Sequence, residues 1–138
     1  MVWMFALLAT ATPYFETEQE GIRIRAEVAA SRYTWTITNV SAPPVTGFAI
    51  DVHHTYDFIA PEGWDHTEPR PAGEFRAWAR NRAGAIGQGR SAVFSARVNS
   101  RGAILGVGSG RIETADGATM SVAEVWRPVP ESTRTRLI

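Results

Sequence analysis

Strict two-residue alternation is the feature that most limits the folds open to this chain. Between Gly21 and Ala29, Ile22, Ile24, Ala26 and Val28 alternate with Arg23, Arg25 and Glu27. Between Tyr33 and Thr38, Tyr33, Trp35 and Ile37 alternate with three threonines. Successive side chains of an extended backbone point to opposite faces, so this period places one set on a core and the other in water. The rhythm returns at Phe75 to Arg80 and at Ala92 to Val98, and no segment carries an apolar helical period of useful length. Short strands broken by Gly, Pro and Asp turns predict an all-β chain, a single antiparallel β-sandwich of about seven to eight strands.

The centre of this pattern is Tyr33 to Trp64. Pro43-Pro44 ends one strand, because proline cannot serve in a central ladder. From Phe48 onward the even positions Phe48, Ile50, Val52, His54, Tyr56 and Phe58 read as inward. The odd positions Asp51, His53, Thr55 and Asp57 read as outward. Ala60 to Trp64 reads as a turn with an aromatic anchor, and Asp65 to Gly73 as loop. Ser31-Arg32 turns the chain between the first two alternating runs, which are expected to pair as a hairpin. Asp116-Gly117 predicts a second hairpin through a two-residue turn with positive φ at both positions. Asn39-Val40-Ser41 fits the glycosylation pattern, but an Asn at a strand end more often hydrogen-bonds the backbone of a turn.

A length of 138 residues suits one domain with its own core. Basic and acidic residues balance at 14 each, so no charge argument for nucleic acid or an anionic membrane arises. Cysteine is absent, which excludes disulfides, thiolate metal sites and cysteine nucleophiles. The apolar run Val2 to Leu8 followed by Ala9-Thr10-Ala11 has the pattern of a secretory signal cleaved after Ala11, and is too short to span a membrane as a helix. The expected division is therefore a signal and linker over 1–20, with Phe15 to Glu20 as the linker. The sandwich follows over 21–127 and an extended tail over 128–138. Export to the periplasm, cell surface or medium follows from the signal reading.

Several features together carry a resemblance. They are the Tyr-x-Trp-x-Ile strand ending at Asn39-Val40-Ser41, Gly47-Phe48, Ala60-Pro61-x-Gly63-Trp64, and the Gly-x-Gly-x-Ser-x-x-Phe run ending at Phe94. The series resembles immunoglobulin-like sandwich domains of bacterial exported proteins, including those that carry PEP-CTERM-type tails. Pro128 to Thr133 is similar to the start of such a tail, without the apolar segment and basic terminus that complete one. The resemblance implies a secreted, non-catalytic structural or binding module and transfers no active-site residues.

Three kinds of site are readable. Exposed rings of Trp64, Trp78, Trp126 and Tyr56 would anchor a protein partner or stack on a glycan. Asp51, His53, Asp57 and His66 are the candidate ligands for a divalent metal, which needs three or four N/O donors on one point; the alternation sends His54 to the other face. A Ser-His-Asp set drawn from Ser91 or Ser95 with His53 and Asp57 lacks a nucleophile elbow. Gly106, Gly108 and Gly110 have no strand-to-helix context for a phosphate loop, and their spacing instead leaves a bare strip that the Trp126 ring is expected to cross. The favoured function is a non-catalytic exported binding or structural module with a protein or surface-assembly partner and no cofactor. The alternatives are a carbohydrate-binding module and a metal-binding protein.

Overall fold

The computed structural model describes residues 14–69, 72–99 and 103–130. These form ten strands: β1 (Tyr14–Gln19), β2 (Ile22–Ala29), β3 (Arg32–Asn39), β4 (Val45–His53), β5 (Thr55–Ile59), β6 (Trp64–His66), β7 (Ala72–Ala79), β8 (Ser91–Val98), β9 (Ala103–Thr114) and β10 (Thr119–Pro130). They build two five-stranded antiparallel sheets. The front sheet runs β1-β2-β3-β8-β5 and the back sheet β10-β9-β4-β7-β6. The predicted all-β antiparallel sandwich is the observed architecture. The signal reading of residues 1–11 lies outside the described residues, as does the tail beyond Pro130.

Tight turns set the front sheet. Glu20 (φ 51°) and Gly21 (φ 81°) connect β1 to β2, and Ala30 (φ 50°) and Ser31 (φ 66°) connect β2 to β3. Two consecutive positive φ values match the twist of antiparallel strands, so each turn holds its hairpin in register. Ile22 thus pairs with Asn39 and Ala29 with Arg32. The expected β2–β3 hairpin forms, with its turn one residue earlier than predicted. Phe15 to Glu20, expected as a linker, supplies most of β1 and the first residue of its turn. Glu18 receives Arg23 at 2.9 Å across the hairpin, and Phe15 turns inward to stack on Trp126 at 5.6 Å. Opposite charges across a strand pair and one half-buried ring hold an acidic segment that composition alone suggests is unpaired.

The step from β4 to β5 moves the chain from the back sheet to the front in one residue, His54, at φ 53°. Corners between packed sheets are made at such bends. The step reverses the side-chain parity predicted through this region: Thr55 is buried and Tyr56 is exposed. An extra residue then enters β5, where Tyr56 pairs with Arg97 and Ile59 with Ser95. Asp57 in this bulge has φ 54°, and the bulge returns Phe58 to the core. Two left-handed residues therefore replace the continuous Phe48–Phe58 strand.

The core between the sheets is aromatic. Trp35, Phe48, Phe75 and Phe94 are fully buried, with ring centres 5.3–6.4 Å apart in the pairs that touch. Trp35 Nε1 donates to the Trp126 carbonyl at 2.9 Å, linking β3 to β10 and closing one side. Phe58 stacks on Phe75 at 5.1 Å on the other. Asn39 is wholly buried: its Nδ2 donates to the Pro43 and Ile86 carbonyls and its Oδ1 accepts from Ala42 N. The backbone role expected for Asn39 is the one it has, and its amide is inaccessible to a glycan. The Asp116-Gly117 hairpin also forms, but through a three-residue loop in which only Gly117 is left-handed (φ 85°). Thr114 N donates to Ala118 O at 3.0 Å and Gly117 N to Thr114 O at 3.0 Å.

Candidate interaction face

On the front sheet, the outward positions of β1 and β2 are Tyr14, Glu16, Glu18, Arg23, Arg25 and Glu27. Those of β3 and β8 are mostly short, with Thr34, Thr36, Thr38, Ser91 and Ser95 around Val93, and with Arg32 and Arg97 at one end. Beyond them β5 carries Tyr56 and Ile59. Short side chains in the middle leave the face level. Four large apolar side chains stand in solvent on it: Tyr14 (52% exposed), Tyr56 (46%), Ile59 (49%) and Val93 (50%). Scattered exposed apolar residues are ordinary, but their concentration on one sheet face marks a contact surface.

Charge is patterned on the same face. Arg32 and Arg97 lie directly opposite one another on β3 and β8, a juxtaposition that repels unless an anion intervenes. Asp57 supplies it: its Oδ2 accepts from Arg32 Nη2 at 2.8 Å and lies 3.3 Å from Arg97 Nε. The left-handed bulge is what aims this carboxylate back over β8. Arg32 Nη1 also donates to Ser95 Oγ at 2.8 Å, which buries that hydroxyl. Among the described residues, edge strand β5 pairs only with β8.

The back sheet presents a different surface. Gly47 and Ala49 of β4 are small, and side chains of the flanking strands arch over them. Arg111 of β9 pairs with Glu74 of β7, and Arg76 of β7 lies 3.7 Å from Glu113 of β9. A shallow groove of about 170 Å³ beside them is lined by Asp51, Glu74, Ser109, Arg111 and Ser121. Paired charges cover the middle of this face, and Val107 of β9 stands exposed on it.

The candidate metal ligands are dispersed. Asp51 and His53 share the outer side of β4 in the back sheet, Asp57 is engaged with two arginines on the front sheet, and His66 lies in β6 against Phe58 and Phe75. His66 Nδ1 bonds Thr67 O at 2.9 Å. Among the described residues no group of three or more His, Asp or Glu side chains is placed to hold a metal ion. The change of sheet at His54 is the physical reason, because it carries Asp57 away from Asp51 and His53. The same separation divides His53 from Ser91 and Ser95. Partial burial, with Arg127 and His54 nearby, holds the His53 imidazole below its ordinary pKa, and Asp51 opposes this.

The candidate rings also part company. Trp64, expected as an exposed anchor, is buried at 4% exposure, with Nε1 donating to Gly84 O at 2.7 Å and its ring edge-on to Phe94. Pairing of β6 with β7 folds the Trp64 ring inward, where its N–H finds a carbonyl. Trp126 is half-buried on Phe15, and Trp78 is half-buried beneath the Arg76 guanidinium at 5.5 Å. Tyr56 alone of the four is exposed. The strip at Gly108 is crossed by Arg127 and not by Trp126. A methyl group at Gly108 would meet Arg127 Nε at 2.1 Å, and Arg127 Nη1 reaches Asp51 O at 3.4 Å.

Sequence reading missed Tyr14, Ile59 and Val93, and the Arg32–Asp57–Arg97 group. A signal for Val93 existed: it occupies an outward position between inward Ala92 and Phe94. Ile59 had none, since its direction depends on the bulge. Compared with known proteins, the chain matches no family model, no curated protein and no solved structure.

Proposed function

We propose that this protein is a non-catalytic binding module of immunoglobulin-like type, whose working surface is the outer face of the front sheet and whose partner is a protein. The observation that carries this is the exposure of Tyr56, Ile59 and Val93 together around β5 and β8, with Tyr14 on the same face. Apolar side chains on a level surface, beside a charged group of fixed geometry, supply the area and the orientation that a protein interface needs. The run Val2 to Leu8 with Ala9-Thr10-Ala11 supports an exported site of action, which cell fractionation of the full chain tests.

A photo-reactive amino acid placed at Ile59, with a second variant carrying it at Arg76 of the back sheet, tests the surface in its native cell. A discrete protein adduct from position 59 and none from 76 is expected. Adducts from both positions alike, or from neither, would overturn the assignment.

A further inference from the structure

Among the described residues the pairing of β4 with β9 ends at Ile50 and Gly110, while β4 continues beside β7 as far as His53. The side chain of Arg127, from β10, reaches across β9 to this parting. A methyl group at Gly108 would meet Arg127 Nε at 2.1 Å and Cζ at 2.8 Å, so the missing Cβ is what admits the guanidinium. Arg127 Nη1 then donates to the Asp51 carbonyl of β4 at 3.4 Å.

The chain supplies no counter-charge for this cation. Arg127 Nε is buried without a hydrogen-bond partner, and the long bond to Asp51 O engages only Nη1. The other half-buried arginines of the described residues, Arg23, Arg25 and Arg32, each meet a carboxylate at 2.8–3.1 Å. Arg127 is half-buried too, yet among the described residues no carboxylate pairs with it. A lysine could relieve such a position by losing its proton, but a guanidinium stays charged in a protein. A partly desolvated cation of this kind is satisfied when an anion meets it.

His53 stands at the same place, on the outer side of β4. The Arg127 charge is near enough to hold its imidazole below the ordinary pKa; His54 acts the same way and Asp51 against them. Two donor side chains from different strands therefore lie close together, and each is half-buried and keeps an edge toward solvent.

We propose that Arg127 and His53 bind a small oxyanion where β4 and β9 part, either a carboxylate or a tetrahedral group of sulfate or phosphate type. The planar guanidinium fork matches the oxygens of both. Asp51 repels the ligand, so affinity is modest, of about millimolar order. The site belongs to the back sheet and does not depend on the docking face of the front sheet.

NMR of the full, nitrogen-labelled chain tests the proposal. The Arg127 Nε–H and the His53 ring are followed while sodium sulfate or sodium acetate replaces sodium chloride at constant pH and ionic strength. Saturable movement of both signals is expected, while the His66 ring in β6 stays still. The anion that saturates at lower concentration identifies the ligand class, acetate for a carboxylate and sulfate for a tetrahedral group. Arg127→Gln weakens the His53 response about tenfold or more, and Gly108→Ala, which displaces the guanidinium, does the same. Circular dichroism checks that both variants fold. Where one does not, the native chain still decides. No movement of the Arg127 and His53 signals, or an unsaturated drift shared by His66, overturns the proposal, as does native affinity in a folded Arg127→Gln variant.

Discussion

The indole Nε1 of Trp35 donates to the main-chain carbonyl of Trp126 at 2.9 Å, so one buried side chain of the front sheet satisfies the edge strand of the back sheet. Packing and polar satisfaction meet at this point. Trp35→Phe would leave a void and an unpaired carbonyl together, at a cost of about 2–4 kcal/mol. Urea denaturation reads this directly. A loss no larger than that of a surface substitution would show that the indole N–H is not needed to join the sheets.

Asn39 gives a sharper test, because its chemistry is asymmetric. Its Nδ2 faces two carbonyls, those of Pro43 and Ile86, inside a fully buried site. Asn39→Asp preserves shape but sets a carboxylate against both acceptors. It is expected to cost roughly 3 kcal/mol or more in the same denaturation measurement. Wild-type stability in the Asp variant would contradict the hydrogen-bond assignment.

His54 at φ 53° is where the chain changes sheets. A side chain pays a steric penalty in this region that glycine avoids. His54→Gly is expected to leave stability unchanged or raise it by up to ~1 kcal/mol, and His54→Val to lower it by more than ~1 kcal/mol. Thermal melts of the two variants should move in opposite directions or diverge clearly. Equal losses would mean that the corner does not need a left-handed residue.

Two groups set the pH range of stability. The pKa of His53 is lowered in the folded chain by partial burial and by neighbouring Arg127. Its stabilising contribution is therefore complete above the unfolded imidazole value of about 6.5 and is lost as pH falls from there through the folded value. Burial pushes the Tyr33 phenol up to about 12. Its contribution is complete below the unfolded value of about 10 and is lost as pH rises through that interval. Denaturation midpoints measured across pH should decline on both flanks. His53→Gln should flatten the acid flank, and Tyr33→Phe the alkaline one.

Much of this fold is legible in the residues themselves. The alternation of Ile22 to Val28 and of Tyr33 to Ile37 specifies strands and their buried faces, because a period of two has one structural meaning. Legibility ends where local geometry changes without a compositional mark. Glu20, Ala30 and Ser31 adopt the turn conformations usually given to Gly or Asn, so the hairpin that makes β1 is hidden behind an acidic sequence. His54 and Asp57 reverse and restore parity within four residues, which turns Thr55 inward and Tyr56 outward against the pattern. That reversal also disperses the histidines and acids that look clustered when counted along the chain. Ring burial is hidden for a related reason: Trp64 finds its acceptor in Gly84, a partner fixed by tertiary contact and not by spacing.

The central claim is that the outer face of the front sheet is covered when the protein works, and covalent footprinting of tyrosines tests it most directly. Tyr14 and Tyr56 stand exposed on that face while Tyr33 is buried between the sheets. In dilute purified protein Tyr14 and Tyr56 are expected to label readily and Tyr33 to be protected. In the native cell Tyr14 and Tyr56 should lose labelling together. Undiminished labelling of both residues under those conditions would contradict the account.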